Sequence, residues 1–171
     1  MQPILPEELD FVQAARKASK INGYWPISRL ERLANMVLDD QANIEAELEF
    51  DVQGRLRTVC GSVKASLTVT CQRCMQPMTL NLDSQFKLAM VSDESRAGLL
   101  PEEFEPLMLD EDNRVNIPVM LEDELLLAIP LVALHETECS DYLQEQKDRQ
   151  ASEEEQALKK ENPFSVLKDL L

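Results

Sequence analysis

From Asn43 to Leu88 the chain repeats with a period of two, and that pattern restricts its fold more than any other feature. In IEAELEF, Ile44, Ala46, Leu48 and Phe50 alternate with Glu45, Glu47 and Glu49. Gln53-Gly54 offers a tight turn. Beyond it Val59, Val63, Ala65, Leu67 and Val69 share one face, while Thr58, Ser62, Lys64, Ser66, Thr68 and Thr70 share the other. A third run alternates through Met78, Leu80, Leu82, Phe86 and Leu88. Successive side chains of a strand point to opposite faces, so each run has a dry side and a wet side. Three such runs with short connections predict an antiparallel β-meander, buried on one face.

The flanking segments carry a helical period. EELDFVQAARKASK places Leu9, Val12 and Ala15 at helical spacing, with a stop at Asn22-Gly23. Ser28 and Glu31 have the spacing of a capping box, followed by Leu30, Leu33, Met36 and Val37 on one face. Two N-terminal helices are therefore expected. After the meander, VSDESRAGLLPEEFEP is polar and holds two prolines, as a loop does, and EPLMLDED can supply a short extra strand. VNIPVMLEDELLLAIPLVAL is strongly apolar. Pro118 and Pro130 bracket a helix of about eleven residues in it. Its Glu122, Asp123 and Glu124 are expected to face solvent near the first turn, where the helix dipole favours negative charge. The predicted fold is α+β: N-terminal helices, a meander packed by a C-terminal apolar helix, and an acidic, partly disordered tail. Residues 1–140 form a single domain in this reading. Residues 141–161 form a charged helix or linker, and 162–171 a short amphipathic motif with Phe164, Val166, Leu167 and Leu170.

The formal net charge of −15 is unevenly spread. Residues 1–80 carry nine Lys/Arg against ten Asp/Glu; residues 81–171 carry eight against twenty-two. No apolar run reaches the roughly 20 residues of a membrane span. MQPILPEELD lacks the basic and apolar regions of a secretory leader. Four cysteines in 171 residues do not make a disulfide scaffold, so a cytoplasmic protein with reduced thiols is expected.

Two of those cysteines sit in CQRCMQPM, residues 71–78, at the second turn of the meander. A thioredoxin-type pair belongs at the start of a helix after a strand; here strands flank the motif on both sides, which disfavours redox chemistry. A CxxC turn is also half of a zinc site, because two thiolates at that spacing can take two corners of a tetrahedron. His135, the single histidine, and Cys139 lie just past the apolar helix and can complete it. Against this stands the plain reading of buried small thiols and a loop histidine. Cys60, on the polar strand face, is expected to be an ordinary thiol.

Residues 52–82 contain no Asp or Glu but hold Arg55, Arg57, Lys64 and Arg73. These cations either pair with the glutamates of the neighbouring strand or meet RNA phosphate, with the acidic half confining contact to one face. No aromatic residue lies in this window, which argues against sequence-specific single-strand readout. Glycine-rich phosphate loops and a GxSxG elbow are missing from the sequence. A non-enzymatic protein without a small-molecule substrate is the expectation.

Three segments taken together, CQRC between two strands, LEDELLLAIPLVALHETEC and NPFSVLKDLL, resemble the YceD family, the large ribosomal RNA subunit accumulation proteins of bacteria and plastids. Order and spacing match over most of the chain. The resemblance implies a role in synthesis, processing or stability of the large-subunit (23S) rRNA, with that rRNA or a pre-ribosomal particle as partner. Its genes often neighbour that of a small large-subunit ribosomal protein. Members from other lineages often carry a second cysteine pair where this chain has HETEC, which implies a shared metal site. Here His135 and Cys139 stand in its place. A structural zinc on Cys71, Cys74, His135 and Cys139 is the resulting expectation. The family has no agreed catalytic residues to carry over. The alternative is an acidic adaptor that recruits a basic ribosomal protein.

Overall fold

The computed structural model describes residues 3–109 and 112–139. In chain order its elements are β1 (Glu8–Asp10), α1 (Phe11–Arg16), β2 (Lys20–Pro26), a 3-10 turn (Ile27–Arg29) and α2 (Glu31–Ala34). The meander follows as β3 (Asn43–Gln53), β4 (Leu56–Thr70) and β5 (Pro77–Val91). A second 3-10 turn (Glu94–Leu99), β6 (Glu105–Met108), β7 (Arg114–Asn116) and α3 (Ile117–Ala128) complete the described fold.

The alternating stretch forms the centre of the sheet, as the period requires. β3, β4 and β5 pair antiparallel, with Glu45 opposite Lys64 and Lys64 opposite Asp83. β2 adds antiparallel to β3 and β6 adds parallel to β5, giving a five-stranded mixed sheet in the order β2-β3-β4-β5-β6. The fold is thus α+β. The strand anticipated in EPLMLDED is β6, though it runs parallel to its neighbour. Gly54 takes up the turn between β3 and β4 at φ 64°, a conformation glycine adopts without a Cβ clash.

One face of the sheet is dry. Ile44, Leu48, Phe50, Val59, Val63 and Leu67 are almost wholly buried, while Glu45, Glu47, Glu49 and Lys64 stand on the wet side. Each large side chain removed from water contributes about 1.5–3 kcal/mol. Gly61 interrupts the apolar series on β4 for a packing reason. It lies opposite both Leu48 and Phe86, whose side chains fill its place; a Cβ there meets the Phe86 ring at 2.6 Å and Leu48 at 2.8 Å. Phe11 of α1 meets Phe50 edge-on at 5.4 Å between centroids, and Ile117, Met120, Leu121 and Leu125 of α3 are buried as well.

The N-terminal expectation needs correcting. α1 is only six residues long: Asp10 caps it by accepting from the Gln13 N–H at 2.8 Å, and Ala18 leaves it in the left-handed region at φ 47°. Asn22-Gly23 is no helix stop but part of β2. At Gly23 a Cβ comes within 2.4 Å of the Pro3 carbonyl, because the chain before β1 crosses there and bonds to Tyr24. The second expected helix shrinks to a 3-10 turn and the four residues of α2. Ser28 makes no capping bond; Leu30 occupies the N-cap position and Met36 is half exposed.

The acidic cluster on α3 is the other correction. Glu122 and Glu124 are buried at 4% and 9% exposure, whereas Asp123 is open. Glu122 is held by partners from α2: its carboxylate accepts from the backbone N–H groups of Arg32 and Leu33 at 2.9 and 3.0 Å and from Arg32 Nε at 2.7 Å. It caps α2 from outside, the task assigned from sequence to Ser28. The predicted apolar helix itself is present as twelve residues, with Asn116 as N-cap and Pro118 in its first turn. The expectations for residues 141–161 and 162–171, and for a disordered tail, lie outside the described residues.

Candidate functional site

The six residues between β4 and β5 form a tight knuckle. The Cys71 N–H donates to the Gln76 carbonyl at 2.9 Å, and the Cys71 carbonyl accepts from the Met75 N–H at 2.9 Å. This closure carries Met75 into the left-handed region at φ 60°. Cys71 is fully buried under the turn and Cys74 is half-buried.

The segment after α3 is stitched to this knuckle. α3 ends where Ile129 turns extended ahead of Pro130. From there the Leu131 carbonyl accepts from the Gln72 side chain at 3.3 Å and the Ala133 carbonyl from the Gln72 N–H at 2.9 Å. His135 follows two residues later. Ligand atoms of Cys71, Cys74, His135 and Cys139 all lie within 4.8 Å of one another. A tetrahedral site with Zn–S bonds near 2.3 Å has edges of roughly 3.8 Å, so small side-chain adjustments bring the four donors onto one ion. Three sulfurs and one imidazole are soft and borderline donors, suited to zinc and ill suited to magnesium or calcium. The group could hold a metal ion.

The basic residues singled out from sequence do not form one patch. Lys64, in mid-strand, pairs with Asp83 of β5 at 3.1 Å, a cross-strand partner other than the expected glutamates of β3. Arg73 lies in the cysteine knuckle. Arg55 and Arg57 lie at the opposite end of β4, which at about 3.3 Å per residue is roughly 45 Å long. There they line a groove of about 430 Å³ with Arg96, Met90, Leu99 and Leu100. Sequence reasoning missed Arg96. Its segment read as a polar loop, and only the pairing of β5 with β4 carries that loop to the Gly54 turn.

Cys60 behaves as expected of an ordinary thiol. Burial pushes its pKa up, which keeps it protonated and unreactive at neutral pH.

Fold and site together define a class: α+β proteins in which the hairpin turn of a mixed sheet carries two of four closely spaced Cys/His donors. A family model described as "Large ribosomal RNA subunit accumulation protein YceD" matches residues 59–171. The Haemophilus influenzae protein named "Large ribosomal RNA subunit accumulation protein YceD" is 34% identical over 168 residues, 97% of this chain and 95% of its own length. The chain belongs to the YceD family. No solved structure matches it. No described helix is long and apolar enough to cross a membrane.

Proposed function

We propose that the chain is a non-enzymatic factor of ribosome biogenesis that supports synthesis, processing or stability of large-subunit (23S) rRNA. The observation that carries this reading is the end-to-end relation to the Haemophilus influenzae protein of that name. The factor acts in the cytoplasm on large-subunit rRNA or a pre-ribosomal particle, without a small-molecule substrate. Arg55, Arg57 and Arg73 are its candidate contacts to RNA phosphate; Lys64, engaged with Asp83, contributes least. Cys71, Cys74, His135 and Cys139 hold one structural Zn²⁺, since a site with four protein donors leaves no position open for catalysis.

A second reading has its own support. With net charge −14 in residues 81–171, the chain can instead recruit a basic ribosomal protein. Crosslinking in cells, followed by sequencing of the RNA recovered with the protein, separates the two. Enrichment of large-subunit rRNA over a mock sample is expected. Its absence, with a ribosomal protein recovered in its place, gives the adaptor reading the case.

A further inference from the structure

The groove beside Gly54 joins three arginines from separate parts of the chain. Arg55 and Arg57 flank the start of β4, and Arg96 comes from the 3-10 turn after β5. Apolar side chains, among them Met90, Leu99 and Leu100, form most of the rest of its wall with Ser92, and among the described residues no carboxylate lines it. Leu99 is 82% exposed, so this part of the wall is open to a ligand. Among the described residues, no carboxylate lies within ion-pair distance of Arg55 or Arg57, whereas Lys20, Lys64 and Lys87 are each matched by an acid. Arg96 is steadied through its Nε, 3.5 Å from an Asp93 carboxylate that also accepts from the Ser92 and Ser95 hydroxyls.

We infer that this groove seats one nucleotide unit of single-stranded RNA, its phosphate on the three guanidinium groups and its base against the apolar wall. The inference rests on the rRNA reading above and narrows it to one end of the sheet. Guanidinium groups bind phosphate through paired N–H donors and also lie flat against bases. The volume falls within the roughly 300–1,000 Å³ of sites that enclose small ligands. In a chain of net charge −15, a polyanion is repelled over most of the surface and admitted where cations outnumber acids, as here, where Asp93 is matched to Arg96 alone. An acidic peptide would satisfy the arginines but leave the wall unused. Because the groove has no aromatic platform and few hydrogen-bonding groups besides arginine, binding is tolerant of sequence.

The test is fluorescence anisotropy of the full chain with a labelled single-stranded RNA of about twelve mixed-sequence nucleotides, over a salt series. Arg55→Gln/Arg57→Gln/Arg96→Gln should bind at least about tenfold more weakly, with a log–log salt slope smaller by about 2. Lys20→Gln/Lys87→Gln, two cations already matched by acids, should change affinity less than about threefold. The single variant Arg96→Gln, at an exposed loop position, repeats the test without risk to the fold. An unchanged affinity and slope in the triple variant overturns the inference while leaving an rRNA role intact. So does an equal loss of binding in Lys20→Gln/Lys87→Gln, or a wild-type chain that binds a polyglutamate peptide and not RNA. Groove-dependent RNA binding without large-subunit rRNA in the cellular crosslinks upholds the groove and rejects the proposed function.

Discussion

Glu124 sits on a helix whose other inward residues, apart from Glu122, are apolar, and its surroundings oppose its charge. Burial pushes its pKa up, and the carboxylates of Glu105 and Asp123 push it further. The sign of the pH effect follows. The folded state holds this proton more tightly than the unfolded chain, so the penalty for ionising Glu124 is absent below the unfolded value and grows as pH rises towards the folded one. Glu124→Gln should therefore raise the melting temperature at about pH 8, with the difference narrowing towards pH 5. A gap that is constant with pH, or reversed, refutes this. Gly61 makes the opposite kind of prediction. Gly61→Val places two methyl groups where Phe86 and Leu48 already stand, and should cost about 1–3 kcal/mol in urea unfolding. Neither residue was legible from the sequence. Glu124 looked like one of three solvated acids, and a glycine within a strand says only that something approaches, not what.

At the scale of elements, the most consequential contact outside the sheet is the one between α2 and α3. An isolated helix of four residues has no stability of its own. α2 persists because Leu33 is buried beneath it and Glu122 accepts its first N–H groups. Glu122→Ala should cost about 2–3 kcal/mol, combining a lost cap with lost charge-assisted bonds. Asp123→Ala removes only the exposed half of the network, the 2.6 Å bond to Arg32 Nη1, and should cost under about 1 kcal/mol. Equal losses in thermal melts would mean that Glu122 is no cap. The elements divide by whether their signal is local. β3, β4 and β5 were readable because Ile44, Val63 and Leu82 each belong to a long alternating series that no helix can bury. α3 was readable because two prolines bracket its apolar run. β2 was not, since Gly23 interrupts its alternation for the sake of Pro3, and the lysines and alanines before it favour a helix locally. Pairing of distant strands then outweighed that propensity.

At the scale of the whole molecule, the four metal-binding candidates were legible by residue type and spacing, because three cysteines and the single histidine have few other ways to combine. The arginine groove was not, since its third member depends on strand register. The cysteine group also makes the largest demand on stability. Cys74 and His135 are separated by sixty residues, including all of β5 and α3. A crosslink that closes a loop of that length removes chain entropy worth about 4 kcal/mol from the unfolded state; a metal ion does the same while its ligands stay deprotonated. If the proposed zinc is present, protein purified without a histidine tag carries about one equivalent. Chelator then lowers its melting temperature by roughly 10 °C, at about 2–4 °C per kcal/mol for a chain of this size. His135→Asn and Cys74→Ser should each abolish the chelator response, because either loss leaves only three donors. Cys60→Ser, outside the group, should leave metal content and the chelator response unchanged. Less than about a tenth of an equivalent of zinc, with a melting point indifferent to chelator, would show that Cys71 and its neighbours stabilise the fold as packed thiols alone.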